Sequence, residues 1–190
     1  MDFYSIPIFI ISWNRTETLR LCIERYQKDG YRNIIILDNA STDKKHLSYL
    51  KSLPYKVYYF KKNYGTRVLY ECGLFESIIQ NEYYVLTDPD ILPIEDCPGN
   101  YLEEFYNLLQ KHPEKQKIGF SLKIDNLPED YPFKYEIMRY ESIYYDKKIQ
   151  YKFPIYDAPI DTTFALYRPG GGLRIFMKLS GRDIRIRHTI

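Results

Sequence analysis

Short apolar runs alternate with longer amphipathic ones through the first two thirds of the chain. Residues 6–12 are almost wholly apolar, the pattern of a strand covered on both faces. Asn14-Arg15-Thr16-Glu17 then makes a turn with a candidate cap. Residues 18–28 set Leu19, Cys22, Ile23 and Tyr26 at helical spacing, and Gly30 supplies a stop signal. A second buried strand is predicted over 33–37, ending at Asp38. Asn39-Ala40-Ser41-Thr42-Asp43 is turn chemistry, leading into a short helix through Leu50. A third strand is expected over 56–60, and a helix over 66–80 carried by Val68, Leu69, Cys72, Phe75, Ile78 and Ile79. A fourth strand, 82–87, runs directly into Asp88. After a Pro/Asp-rich turn come an amphipathic helix over 101–111 and a strand over 116–124. The order β-α-β-α-β-α-β predicts a mainly parallel sheet with helices on both faces.

From about residue 126 the periodicity weakens. A helix is expected near 133–140 and strands near 142–146 and 162–167. Pro169-Gly170-Gly171-Gly172 reads as a mobile loop, and 173–190 alternates enough for one or two terminal strands.

Composition changes this picture little. A length of 190 residues suits one domain, and a net charge of +2 does not mark a polyanion binder. The basic stretch Arg168, Arg174, Lys178, Arg182, Arg185, Arg187 faces one acid, Asp183. It reads as a solvated face beside a phosphate site, and no nucleic-acid partner is expected. Tyrosine is abundant at 21 residues; most of these suit half-buried positions, and some would suit sugar stacking. Cys22, Cys72 and Cys97 are odd in number and lack metal-ligand spacing, so free thiols in a reducing compartment are expected. No basic leader and no run of about 20 apolar residues is present. The expectation is a cytoplasmic protein without a transmembrane segment, with peripheral contact to a membrane-borne acceptor left open.

Parallel α/β sheets bind ligands at the carboxyl ends of their strands. Polar residues recur there: Asn14, Asp38, Asp88 and Asp90. Asp88-Pro89-Asp90 is the sharpest feature. Carboxylates two apart on an extended segment can face the same side, and Pro89 restricts both itself and Asp88. Hard oxygen ligands suit Mg2+ or Mn2+ bridged to substrate phosphates. Asp-Pro-Asp is also ordinary turn chemistry.

Four groups carry a resemblance: Ile10-Ile11-Ser12-Trp13-Asn14-Arg15, Ile36-Leu37-Asp38-Asn39-Ala40-Ser41-Thr42-Asp43, Lys62-Asn63-Tyr64-Gly65 and Leu86-Thr87-Asp88-Pro89-Asp90-Ile91. In order and spacing the set resembles the motifs of family 2 glycosyltransferases. The likeness continues through Ile160-Asp161-Thr162-Thr163-Phe164-Ala165-Leu166-Tyr167 and Arg187-His188. The resemblance implies a GT-A fold: a Rossmann-like, mainly parallel central sheet flanked by helices, with a small irregular acceptor-side region. It implies one domain over 1–190, with 1–90 the nucleotide-binding half and 91–190 the acceptor-side half.

By the same resemblance Trp13 lies against the nucleotide base and Asp38 hydrogen-bonds it, usually uracil in this family. Arg67 approaches the base or diphosphate. Asp88 holds the ribose or a metal-bound water, Asp90 binds Mn2+ or Mg2+, and His188 completes the metal's coordination. Asp161 takes the place of the general base, with Asp157 as rival. The activity implied is metal-dependent, inverting transfer of a sugar from a UDP-sugar to a hydroxyl of a saccharide or glycolipid acceptor. Each residue also has a structural alternative: core filling for Trp13, helix capping for Asp38, a solvated helix position for Arg67, an Asx turn for Asp161. The pattern departs from the family where Ile160, not an acid, precedes Asp161, and where two residues follow His188. A sugar-phosphate nucleotidyltransferase is disfavoured because 11–16 contains no glycine. A non-catalytic nucleotide-sugar-binding module stays open.

Overall fold

Every residue of β1 (Ile8–Ser12) and β2 (Ile34–Asp38) is buried, as strands covered on both faces require. The computed structural model describes residues 1–124, 127–149, 154–160, 163–170 and, for the backbone, 184–187. In chain order α1 (Thr16–Lys28) follows β1, and α2 (Lys44–Ser52) and β3 (Lys56–Tyr59) follow β2. Then come α3 (Val68–Glu71), α4 (Glu76–Asn81), β4 (Tyr84–Thr87), α5 (Tyr101–Lys111) and β5 (Lys117–Ser121). The second half adds α6 (Lys134–Ser142), β6 (Lys148–Ile149), β7 (Ile155–Asp157), β8 (Ala165–Tyr167) and β9 (Ile184–Arg187).

The strands form one sheet in the order β3-β2-β1-β4-β8-β5-β9-β7-β6. β3, β2, β1 and β4 are parallel neighbours. β8 enters antiparallel between β4 and β5, so β5 regains the direction of β4. β9 is parallel to β5, and β7 and β6 close that edge in antiparallel pairs. The parallel sheet read from the first half is therefore present. The weakly patterned second half contributes the antiparallel part.

Side chains alternate between two apolar layers. Ile8, Ile10, Ile34, Ile36, Val85 and Leu166 face Leu19, Cys22, Ile23, Tyr26 and Leu50 of the first two helices and Leu102, Phe105 and Leu109 of α5. Phe9, Ile11, Ile35, Leu37, Tyr84 and Leu86 face Val68, Leu69, Phe75 and Ile79 around α3 and α4. At about 1.5–3 kcal/mol for each fully buried large apolar side chain, these two layers dominate the fold's stability.

Three expectations are corrected. The helix over 66–80 is broken: a 3-10 turn (Gly65–Arg67) precedes α3, and α4 follows Gly73 at φ +72°. Apolar spacing survives the break because both pieces bury the same stripe, which is why periodicity did not expose it. The strand expected near 142–146 is instead the end of α6 and a 3-10 turn, Ile143–Tyr145. There the Tyr145 hydroxyl donates to the Leu122 carbonyl, so tertiary contact overrides the β-propensity of Ile-Tyr-Tyr. Two short strands, β6 and β7, were not foreseen. Among the described residues no helix is long and apolar enough to cross a membrane.

Gly119 lies opposite Ala165 across the β5–β8 pair. A Cβ there would sit 2.6 Å from the Phe164 carbonyl oxygen and 2.7 Å from the Ala165 Cβ. Neither neighbour is a flexible side-chain end. Gly119→Ala is expected to cost about 1–3 kcal/mol through forced separation of these strands. A urea-denaturation midpoint equal to wild type would show that the spacing is not limiting.

Candidate functional site

The parallel register brings three loops to one edge of the sheet. Ser12 pairs with Asp38, and Ile10 with Thr87, so β1 and β2 end level and β4 ends opposite Ile10, two residues earlier. The loops that leave these ends are held by a few buried polar side chains.

The loop after β1 carries Trp13, Asn14 and Arg15. The ring of His46, on α2 and fully buried, reaches both of its ends: Nε2 lies 2.9 Å from Ser12 Oγ and Nδ1 3.1 Å from Thr16 Oγ1. A neutral imidazole donates through one nitrogen and accepts through the other, and both hydroxyls can play either part. Burial lowers the His46 pKa, against the opposing pull of Asp38 and Asp43, and so favours the neutral ring. The middle of the loop is fixed by Asn14 at φ +53°. Its side-chain oxygen accepts from the N–H groups of Thr42 and Asp43 at 2.9 Å each, and its own N–H donates to Ser41 Oγ at 3.0 Å.

The other two loops are held similarly. Asn39, 3% exposed, donates through Nδ2 to the Gly65 carbonyl at 2.9 Å and accepts the Tyr64 N–H at 2.8 Å. It thereby sets the 63–66 loop, whose Gly65 adopts φ +62°. Under the Asp88-Pro89-Asp90 tip, the Cys22 thiol shares its proton between the Pro89 and Ile91 carbonyls at 3.3 Å each. The Tyr26 hydroxyl donates to the Ile91 carbonyl at 2.7 Å. Burial, and secondarily the Asp90 charge, push the Cys22 pKa up to about 12, so the thiol stays a donor. Arg25 extends the support, donating to the Pro93, Ile94 and Cys97 carbonyls while paired with Asp29.

Between the loops lies a cleft of about 290 Å³, lined by Ile11, Trp13, Arg15, Asn39, Gly65 and the 88–90 tip among others. Trp13 is 52% exposed, which removes core filling as its role and leaves an aromatic face at the cleft wall. Asp88 and Asp90 line the same cleft over a buried Pro89. The Arg15 guanidinium pairs with Asp90 Oδ2, their side chains 58% and 35% exposed. At such exposure the pair contributes about 0–1 kcal/mol. Among the described residues no three His, Cys, Asp or Glu side chains gather as a metal cage. Two carboxylates are nonetheless a fitting donor set for an ion that keeps waters and takes its remaining oxygens from a diphosphate.

The other sequence candidates are placed as follows. Asp38 is 2% exposed, and its Oδ1 accepts from Ser41 N–H at 3.3 Å. Its neighbour Asn39 is the residue that reaches the cleft. Arg67 is exposed beside Thr66 and pairs with Glu71 at 3.0 Å. Asp157 ends β7, which runs opposite to β9, so it lies beside Ile184 at the amino edge of the sheet. There it pairs with the buried Lys115 at 2.6 Å. The structure therefore does not bring Asp157 to the cleft. Asp161 and His188, with Gly171, Gly172 and residues 173–183, lie outside the described residues. Arg168, first of the basic stretch, is half-buried and donates to the Lys115, Leu109 and His112 carbonyls. It closes the carboxyl end of α5 instead of facing solvent. Sequence reading missed Arg15, Asn39 and His46. Only Asn39 carried a local signal, its place beside Asp38 in the turn.

No protein-family model matches the chain. It is 28% identical over 139 residues, 66% of the chain, to the uncharacterized protein L137 of Acanthamoeba polyphaga mimivirus. That match covers 18% of the curated relative, so the chain spans about a fifth of its length. The fold is similar to that of the mannosyltransferase PcManGT from Pyrobaculum calidifontis in complex with GDP-Man and Mn2+, with a TM-score of 0.55 at 14% identity. The likeness covers 93% of this chain and 46% of that one. At that identity it establishes the fold, which is of the GT-A type.

His46→Ala leaves the buried Ser12 hydroxyl and the half-buried Thr16 hydroxyl short of a partner and opens a cavity. The expected loss is about 2–4 kcal/mol, with a changed emission from Trp13, the chain's one tryptophan. Because burial lowers the folded pKa of His46, the unfolded chain binds the proton more readily below about 6.5. Its contribution is therefore lost as pH falls through that range. Urea denaturation at pH 7.5 and 5.5 should show a steeper drop in wild type than in His46→Ala, and equal drops would take His46 out of the account.

Proposed function

We propose that this chain is a glycosyltransferase domain that binds a nucleoside-diphosphate sugar in the cleft at the carboxyl ends of β1, β2 and β4. The observation that carries the reading is the pairing, in one cleft, of an exposed indole with two carboxylates on a supported tip. An aromatic face suits a base; an acidic tip suits the cation that accompanies a diphosphate. The likeness to a structure holding GDP-Man and Mn2+ supports the same class of ligand.

In this reading Trp13 stacks on the base, with Asn39 at the floor beside it and Asp38 assigned to the base on the motif resemblance. Asp88 and Asp90 hold a divalent ion, Mn2+ or Mg2+, which when bound supplies positive charge against the departing diphosphate. Arg67, which pairs with Glu71, is assigned to the base or diphosphate on the motif resemblance. The general base is assigned to Asp161 and a further metal ligand to His188, both on the motif resemblance. Asp157 is set aside, since a salt-bridged carboxylate at the opposite edge of the sheet cannot reach the acceptor. A base that removes the acceptor's proton opposite the leaving group gives inversion. The donor is a UDP-sugar on the motif resemblance that includes Asp38, with a GDP-sugar as the alternative that the structural neighbour favours, and the acceptor is a saccharide or glycolipid hydroxyl. Residues 1–90 form the nucleotide half and 91–190 the acceptor half of one domain.

A thermal-shift panel of UDP-, GDP- and dTDP-sugars with and without Mn2+ tests this. Saturation at about 100 times Kd should raise Tm by about 5–10 °C for one donor class, and only with the metal. Asp90→Ala should abolish the metal-dependent shift, and Trp13→Ala should weaken it for every donor. Asp161→Ala should keep the shift and lose transfer. Absence of any shift across the panel would sink the reading.

A further inference from the structure

Arg15 lines the cleft, yet the roles assigned above leave it without one. Its surroundings are unusual. The backbone on both sides is held, at Ser12 and Thr16 by the His46 ring and at Asn14 by the turn before α2. Its own carbonyl receives the Leu19 N–H at the start of α1. The long side chain extends from this held backbone and lies on Asp90, with both partners accessible to water. An ion pair of that exposure is weak and exchangeable.

Two facts of chemistry bear on the pair. A guanidinium and a divalent cation cannot share one carboxylate oxygen without strong repulsion. A guanidinium released from a carboxylate is a ready bidentate donor to phosphate oxygens. Among the described residues that line the cleft, Asp88, Asp90 and Arg15 sum to one net negative charge, whereas the two aspartates alone would sum to two.

We propose that Arg15 is an exchangeable counter-ion: it occupies Asp90 while the cleft holds no donor and transfers to the diphosphate when a metal-bearing nucleotide enters. The proposal rests on the donor-site reading above. Its consequence is coupling. Arg15 opposes binding of the cation alone and favours binding of the nucleotide, so metal and nucleotide each strengthen the other's affinity.

The test measures free Mn2+ by electron paramagnetic resonance, with and without UDP or GDP, in wild type, Arg15→Gln and Arg15→Gln/Asp90→Asn. Arg15 is exposed, so circular dichroism of the single variant should match wild type. In the absence of nucleotide, Arg15→Gln should bind Mn2+ about threefold to tenfold more tightly. With Mn2+ saturating, it should bind the nucleotide at least about tenfold more weakly. The gain in Mn2+ affinity should vanish when Asp90 is also replaced. Unchanged or weaker Mn2+ binding in Arg15→Gln would overturn the exchange even if nucleotide affinity falls, as would a gain that persists in the double variant. Failure of wild type to bind either nucleotide with Mn2+ would instead remove the donor-site reading, and the exchange with it.

Discussion

The structure depends on one constraint, the in-register parallel pairing of β1 between β2 and β4. Ser12 beside Asp38 and Ile10 beside Thr87 set where three loops begin. Both faces of these strands are apolar, so burial alone would tolerate a slip poorly signalled by side-chain alternation. The polar residues at the strand ends mark the register instead. Ser12 is fully buried, yet its hydroxyl meets His46, a contact that shifting the strand by one residue would break. An unsatisfied buried polar group costs about 1–3 kcal/mol, enough to select one register among near-equals.

From that edge the molecule separates support from chemistry. Asn39, His46, Cys22 and Tyr26 are buried and spend their hydrogen bonds on loop backbone or on hydroxyls at loop ends. Trp13, Arg15, Asp88 and Asp90 retain exposure to the cleft. In the proposed reading, the groups that meet the ligand are held by neighbours that cannot move without losing their own partners. The asymmetry explains how an acidic tip is held on a short loop: its carbonyls are tied to α1 while its carboxylates line the cleft.

The opposite edge of the sheet is closed. Lys115 pairs with Asp157, Lys117 donates to the Ile160 carbonyl at 2.6 Å, and Arg168 takes up carbonyls at the end of α5. These buried and half-buried cations satisfy backbone and carboxylate groups at this edge. Asp157 belongs to this closure.

The elements of the first half were legible because their signals are local. A continuous apolar run, a helical stripe or an Asp-Pro-Asp turn is written in neighbouring residues, so β1, β2, β4, α1 and α5 and the acidic tip could be read directly. The break at Gly73 was hidden by an apolar stripe that continues across it, and the 3-10 turn at 143–145 and the strands β6 and β7 by their dependence on contacts with other segments. The same holds for the site. The amino-acid sequence by itself determined which carboxylates and which indole stand at strand ends. Only the tertiary structure decided that Trp13 faces the cleft, that Asp157 lies on the far edge, and that Arg15 rests on Asp90. Those outcomes join residues up to 75 positions apart, and no local pattern records a contact made across a sheet.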